Sequence, residues 1–127
     1  ERSERSCIDT VRAAAHAHRA IQHLPTDASL TLHADMFMAR KLVEAVRQCR
    51  EVRKPRYALY KTLTDLALAA LTSPRASLLQ QLAASSRPED RQVRSHLARA
   101  LTWPLGYAAI QSALGRLKAR RASSQAS

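Results

Sequence analysis

Apolar positions recur along this chain at intervals of three and four, and almost nowhere at intervals of two. That period puts residues on one face of an α-helix, so helices are expected between the prolines and polar clusters that punctuate the chain. The first helix is predicted from about Cys7 to His23, stopping before Leu24-Pro25-Thr26-Asp27 because Pro25 disfavours helix in the residue before it. The second begins near Ser29 or Thr31 and runs to about Arg53, with Leu32, Met36, Ala39, Val43 and Val46 as its core stripe. Pro55 suits the first position of a third helix lined by Leu59, Leu63, Leu66 and Ala70. Ser73-Pro74 reads as the start of a short helix through Leu78, Leu79 and Leu82, or as a bend in the third.

Ser86-Arg87-Pro88-Glu89 matches the capping box, in which hydroxyl and carboxylate each satisfy a backbone donor at a helix start. The helix that follows carries Val93, Leu97, Ala100 and Leu101. It meets Trp103-Pro104, where the proline removes a donor and crowds the preceding turn, so a kink or break is expected near Thr102. Ile110, Leu114 and Leu117 then resume the inward stripe.

Short connections between helices favour antiparallel neighbours. The expected fold is therefore all-α: a single up-down antiparallel bundle of four to five helices over residues 1–121, with a proline kink near residue 103. Residues 122–127, small and polar, are expected as a disordered tail. A length of 127 residues suffices for one core, and 46% apolar residues with only 2 glycines argue against a disordered basic chain. Cys7 and Cys49 have no zinc or CxxC spacing and are expected as buried, reduced thiols. They fit an intracellular, reducing compartment: the cytoplasm, with the mitochondrial matrix also compatible. Acidic Glu1, Glu4 and Asp9 among Arg2, Arg5, Arg12 and Arg19 argue against a targeting segment. The longest apolar run, Leu63 to Leu71 with Asp65 inside it, is far short of the roughly 18 residues of a membrane span, so no integral membrane role is expected.

Charge sharpens the functional expectation. The formal net charge is +11, and 17 of the 21 basic residues are arginine. Residues 1–28 are neutral overall, while 87–127 hold eight basic and two acidic groups. A chain this basic suits a polyanion, because each phosphate neutralised releases condensed counterions. At 100° per residue, Arg40, Arg47 and Lys54 form one ribbon, Arg87, Arg91 and Arg94 a second, and Arg116 and Arg120 a third, widened by Lys118 and Arg121. Arginine binds phosphate bidentately and stacks on bases, which fits RNA or single-stranded DNA. Arg56 adjoins Tyr57, the candidate for base stacking; Tyr60 and Trp103 are expected in packing. Arg50 falls within the apolar arc of the second helix and marks either the end of packing, the preferred reading, or an inward charge paired with Asp65.

Catalytic and metal chemistry find little to work with. His16 and His18 point to different sides of a helix, His16 and His23 lie about 10 Å apart along it, and neither HExxH, ExxH nor a Gly-rich phosphate loop occurs. The scattered carboxylates give no acid–base pair. No cofactor, metal or enzymatic activity is expected. The expected function is that of a non-catalytic subunit of a nucleic-acid-containing, ribonucleoprotein-type complex. It would hold RNA or single-stranded DNA phosphates without sequence readout, and meet other protein subunits or copies of itself. The alternatives are an adaptor binding an acidic protein and, less favoured, a peripheral binder of anionic membrane.

Three resemblances accompany this. Leu59-Tyr60-Lys61 resembles the Leu-Tyr-Arg signature of small basic mitochondrial helical proteins, with Lys in place of Arg and the motif in mid-chain. A long first helix ending at Leu24-Pro25, Phe37 in the second, Leu59-Tyr60 in the third and a basic C-terminus look like the four-helix accessory proteins of diversity-generating reverse transcriptases. Size and charge are similar to those of the small helical subunit of CRISPR effector complexes. All three imply a helical part of a larger assembly.

Overall fold

The computed structural model describes residues 2–24 and 27–126, with side chains described as far as residue 121. Among the described residues the chain forms α1 (Glu4–Gln22), α2 (Ala28–Gln48), a 3₁₀ turn (Cys49–Glu51), α3 (Tyr57–Ala70), α4 (Arg75–Ala84), α5 (Asp90–Thr102) and α6 (Pro104–Ala126). The all-α expectation holds, with six helices in place of four to five. α1 lies against α2 and α3, α4 against α5, and α6 against α3 and α5, while α2 touches α1, α3, α4 and α5. No helix among the described residues is long and apolar enough to cross a membrane.

The hydroxyl of Ser3 caps α1 by accepting the Ser6 N–H at 3.1 Å, and Cys7, Val11, Ala14 and His18 form its inner face. The helix ends at Gln22; Pro25, expected as its stop, lies outside the described residues. Asp27 caps α2 by accepting the Leu30 N–H at 2.9 Å.

α2 is the axis of the packing because it is buried on two sides. Met36, Ala39 and Val43 join Leu78, Leu82, Val93 and Leu97 in a core with α4 and α5. Met38, Leu42, Ala45 and Val46 join Cys7, Val11, Leu59, Leu63 and Tyr107 in a core with α1, α3 and α6. The expected stripe is thus one of two, and its last member, Val46, belongs to the other. Cys7 and Cys49 are buried in this second core, and burial pushes both thiols up, away from thiolate chemistry.

Several helix starts differ from expectation. Lys54, with φ 60°, occupies the left-handed region that non-glycine residues seldom adopt, and turns the chain into buried Pro55. α3 starts only at Tyr57, so Pro55 precedes the helix and is not its first residue. Ser73 does not cap α4, whose N-cap is Pro74. Instead, the N–H groups of Thr72 and Ser73 donate to the Asp35 carboxylate of α2 at 3.2 and 2.6 Å. The Ser86–Glu89 capping box does not form. α5 starts at Asp90 without a side-chain cap, and the Ser85 hydroxyl accepts the Arg87 N–H at 3.2 Å. The break at Trp103-Pro104 is present: Trp103 adopts φ −149° and ψ 84°, and Pro104 opens α6.

The largest departure is the rotation of α6. Ile110, Leu114 and Leu117, expected in the core, are 51%, 45% and 49% exposed, and Trp103, also expected in packing, is 65% exposed. The buried face is Tyr107, Ala108, Gln111, Ser112 and Gly115. Small residues there allow close approach: a Cβ on Gly115 would stand 2.3 Å from Tyr60 Oη. Close backbone approach thus wins over burial of the larger apolar side chains.

Replacing Gly115 with Ala should destabilise the protein by about 1–3 kcal/mol through overpacking. That exceeds the gain in helix propensity of about 1 kcal/mol. Tyr60→Phe, which removes the blocking hydroxyl, should recover most of the loss in a double-mutant cycle read by urea unfolding. Asp35→Ala strands the donors of Thr72, Ser73 and His18 and should lower stability by about 3 kcal/mol in the same measurement.

Candidate nucleic-acid interface

The three arginine ribbons have different fates. On α2, half-buried Arg40 donates from Nε and Nη2 to the two carboxylate oxygens of buried Asp90, at 2.9 and 2.7 Å. The Ser85 hydroxyl adds a third bond to Asp90 at 2.5 Å. The Arg40 hydrogen bonds hold Asp90 below the usual carboxylate range, burial opposing, and the same pairing raises Arg40. Arg47 donates from Nη2 to Gln92 Oε1, tying α2 to α5. Lys54 lies beyond the end of α2, off the helical ribbon. A cavity of about 620 Å³ between α2 and α5 collects Arg40, Arg47 and Arg87, but also Glu44, Glu51 and Glu89, so its charge is mixed.

Arg56 stays exposed but is engaged in a surface pair. Its guanidinium donates to both oxygens of Glu4 at 3.1 and 2.7 Å, joining the starts of α3 and α1 and holding Glu4 low. Tyr57 is exposed at the start of α3 and does not line the cavity of Arg87, Arg91 and Arg94. Asp65 pairs with Lys61 at 2.8 Å, and Arg50 sits half-buried in the 3₁₀ turn where α2 packing ends.

The second group remains open but is not wholly a helical ribbon: α5 starts at Asp90, so Arg87 stands in the turn before it and only Arg91 and Arg94 lie on the helix. Arg87, Arg91 and Arg94 are exposed and, with Leu82, Ser85 and Ser86, line one cavity of about 590 Å³ at the α4–α5 junction. None of the three guanidinium groups forms an ion pair among the described residues. Arg116 and Arg120, with Lys118 and Arg121, are exposed on α6 and also lack ion pairs there. No protein-family model, curated protein or solved structure matches this chain.

Two of the five histidines, His18 and His96, serve packing, while His16, His23 and His33 are exposed. His18 Nε2 and Asp35 Oδ1 lie 2.5 Å apart, both groups buried, and with a carboxylate as acceptor Nε2 is the nitrogen that carries the proton. His96 Nδ1 is 2.8 Å from Tyr107 Oη. Burial, and then Arg99, Arg47 and Arg50, push His96 down, so the neutral ring accepts the tyrosine proton. Among the described residues no three His, Cys, Asp or Glu side chains gather as a metal would need. Two features escaped the sequence pattern: the His18–Asp35 pair, seventeen positions apart, and the exposed face of α6. The first left no local signal. The second was hinted at by Ala108, Ser112 and Gly115, which mark the opposite face.

The Asp90 pair predicts acid sensitivity of one sign. A carboxyl whose folded pKa is lowered contributes stability that is fully present above its unfolded value, about pH 4, and lost as pH falls through the lowered one. Asp90→Asn should therefore reduce stability at pH 7 by about 1.5–3 kcal/mol. It should also flatten the decline below about pH 4 in urea unfolding curves. Glu4 fades over the same acidic window and leaves a residual slope in the variant. A variant that tracked the parent protein at every pH would remove Asp90 from this role.

Proposed function

We propose that this protein is a non-catalytic helical subunit of a nucleic-acid-containing complex. In this reading it binds RNA or single-stranded DNA phosphates through α5 and acts without a cofactor, in an intracellular, reducing compartment. The observation that carries the reading is the α5 cavity, where Arg87, Arg91 and Arg94 stand together without an ion-pair partner among the described residues. Guanidinium groups gathered at the start of a helix suit neighbouring phosphates, and nothing in such an array distinguishes one base from another. Arg116 and Arg120 extend the basic surface on α6. Arg40 leaves the contact set, because swinging it toward a phosphate would strand buried Asp90, while Arg56 is engaged by Glu4 in an exposed pair. Arg47, Lys54 and Tyr57 are peripheral to it.

Changing Arg87, Arg91 and Arg94 together to Ala should weaken binding to a labelled single-stranded RNA or DNA of mixed sequence, with the circular dichroism spectrum unchanged. For single strands each lost phosphate contact removes about 0.7 from the slope of log affinity against log salt, so three contacts should lower that slope by about 2. Fluorescence anisotropy titrations between low and moderate salt read both quantities. Unchanged affinity and slope in the triple variant would exclude α5 as the phosphate-binding element.

A further inference from the structure

α6 buries the face a hydrophobicity pattern would leave outside and exposes the one it would bury. Trp103, Ile110 and Leu117 stand seven residues apart, and Leu114 completes a seam about 21 Å long. At the start of the seam the Trp103 indole is fixed, although its side chain is largely exposed. A Cβ on Gly106 would meet the ring carbons at 2.1–2.7 Å, so the ring lies directly over the glycine. Beside it, Arg99, Thr102, Tyr107, Ile110 and Gln111 line an apolar cavity of about 340 Å³ in the elbow between α5 and α6. A seam that begins at a fixed aromatic and a concave apolar pocket has the form of a helix-docking groove.

The surrounding charge selects the occupant. From Arg91 to the end of the sequence there is no Asp or Glu. Arg99 lines the pocket at one end of the seam, while Lys118 and Arg120 fall on either side of its other end in helical projection and Arg121 continues it. A second copy would bring the same basic border onto itself with no carboxylate on α6 to meet it. An anionic bilayer would satisfy the charge, yet a flat surface leaves the elbow pocket empty. An apolar side chain projecting from a helix fills it.

We propose that the exposed face of α6 docks an amphipathic helix of a partner protein, one carrying acidic residues on both sides of its apolar seam. The site is separate from the α5 cavity and does not depend on nucleic-acid binding. Trp103 is the single tryptophan of the chain and reports on the site directly.

The probe is a synthetic helix of about 21 residues, with Leu at a and d and Glu at e and g, which cannot pair with itself at neutral pH. Its control carries Lys at e and g. Added to the full chain, the Glu peptide should shift Trp103 emission to the blue in a saturable manner, and the Lys peptide should bind about tenfold more weakly or worse. Ile110→Asp and Leu114→Glu, at exposed positions, should each weaken the Glu peptide by about tenfold while circular dichroism and thermal midpoint hold. The Arg87/Arg91/Arg94 triple variant should bind it as the parent does, so failure of the α5 reading and failure of this one remain distinct. The proposal is overturned if neither peptide binds, if both bind equally, or if the triple variant loses binding. It is equally overturned if vesicles of mixed phosphatidylglycerol and phosphatidylcholine give the blue shift when the Glu peptide does not. A dimer in sedimentation that Ile110→Asp dissolves would give the face to a second copy instead.

Discussion

The carboxylate of Asp35 holds three parts of the fold at one point. It sits in the first half of the central helix, fully buried, and meets His18 of α1 together with the backbone donors of Thr72 and Ser73, between α3 and α4. A buried carboxylate without partners would be severely unfavourable, so its three contacts are a condition of the packing as well as a contribution to it. α4 has no side-chain cap, and Asp35 instead ties down the connection that leads into it through the N–H groups of Thr72 and Ser73. Asp90 plays the matching part at the other end, anchoring the start of α5 to Arg40 of α2. α2 can be buried on two sides because these two polar clusters fix the helices that cover it.

The same arrangement redistributes the charge. Glu4, Glu44, Glu51, Asp65 and Asp90 pair with Arg56, Lys41, Arg2, Lys61 and Arg40, all of which precede the C-terminal third of the chain. Acidic groups are thus consumed where basic ones serve the fold. The excess of positive charge becomes partly local: residues 87–127 hold eight basic and two acidic groups, and no Asp or Glu follows Asp90. The neutrality of the first helix, visible in composition alone, is explained by this use, since Arg2 and Glu4 reach the connection between α2 and α3.

Helices, and the proline break before α6, were legible in the sequence because both are local. A period of 3.6 and the missing donor of Pro104 act within a few residues. The Arg91–Arg94 part of the second ribbon was legible for the same reason, whereas Arg87 reaches the same cavity from the turn before α5. What the sequence hid was set at long range. Arg40 shares its ribbon with Arg47 by spacing, but Asp90, fifty positions on, decides that its guanidinium faces inward. Ser86–Glu89 has the letters of a capping box, yet the helix starts three residues later, at the Asp90–Arg40 pair, and Ser85 binds the turn. The His18–Asp35 pair likewise needs α1 and α2 to be packed before it exists.

α6 shows why a hydrophobic stripe need not be a core stripe. Fully burying a Leu or Ile side chain contributes about 1.5–3 kcal/mol. Packing the Ile110–Leu114–Leu117 face inward would gain that at three positions if the neighbours left room. The neighbours do not: Tyr60 of α3 comes so close to Gly115 that no side chain fits between them, and Ala108 and Ser112 keep the rest of that face equally slim. Close approach of small residues gains dispersion contacts along the whole helix and costs no cavity, which a rotated α6 with branched side chains against α3 could not match. Folding is therefore complete without the apolar seam, and the seam's burial energy remains available to a binding event. Trp103 packs over Gly106 with most of its surface in water, so a partner at the seam would bury a large aromatic surface that folding leaves exposed.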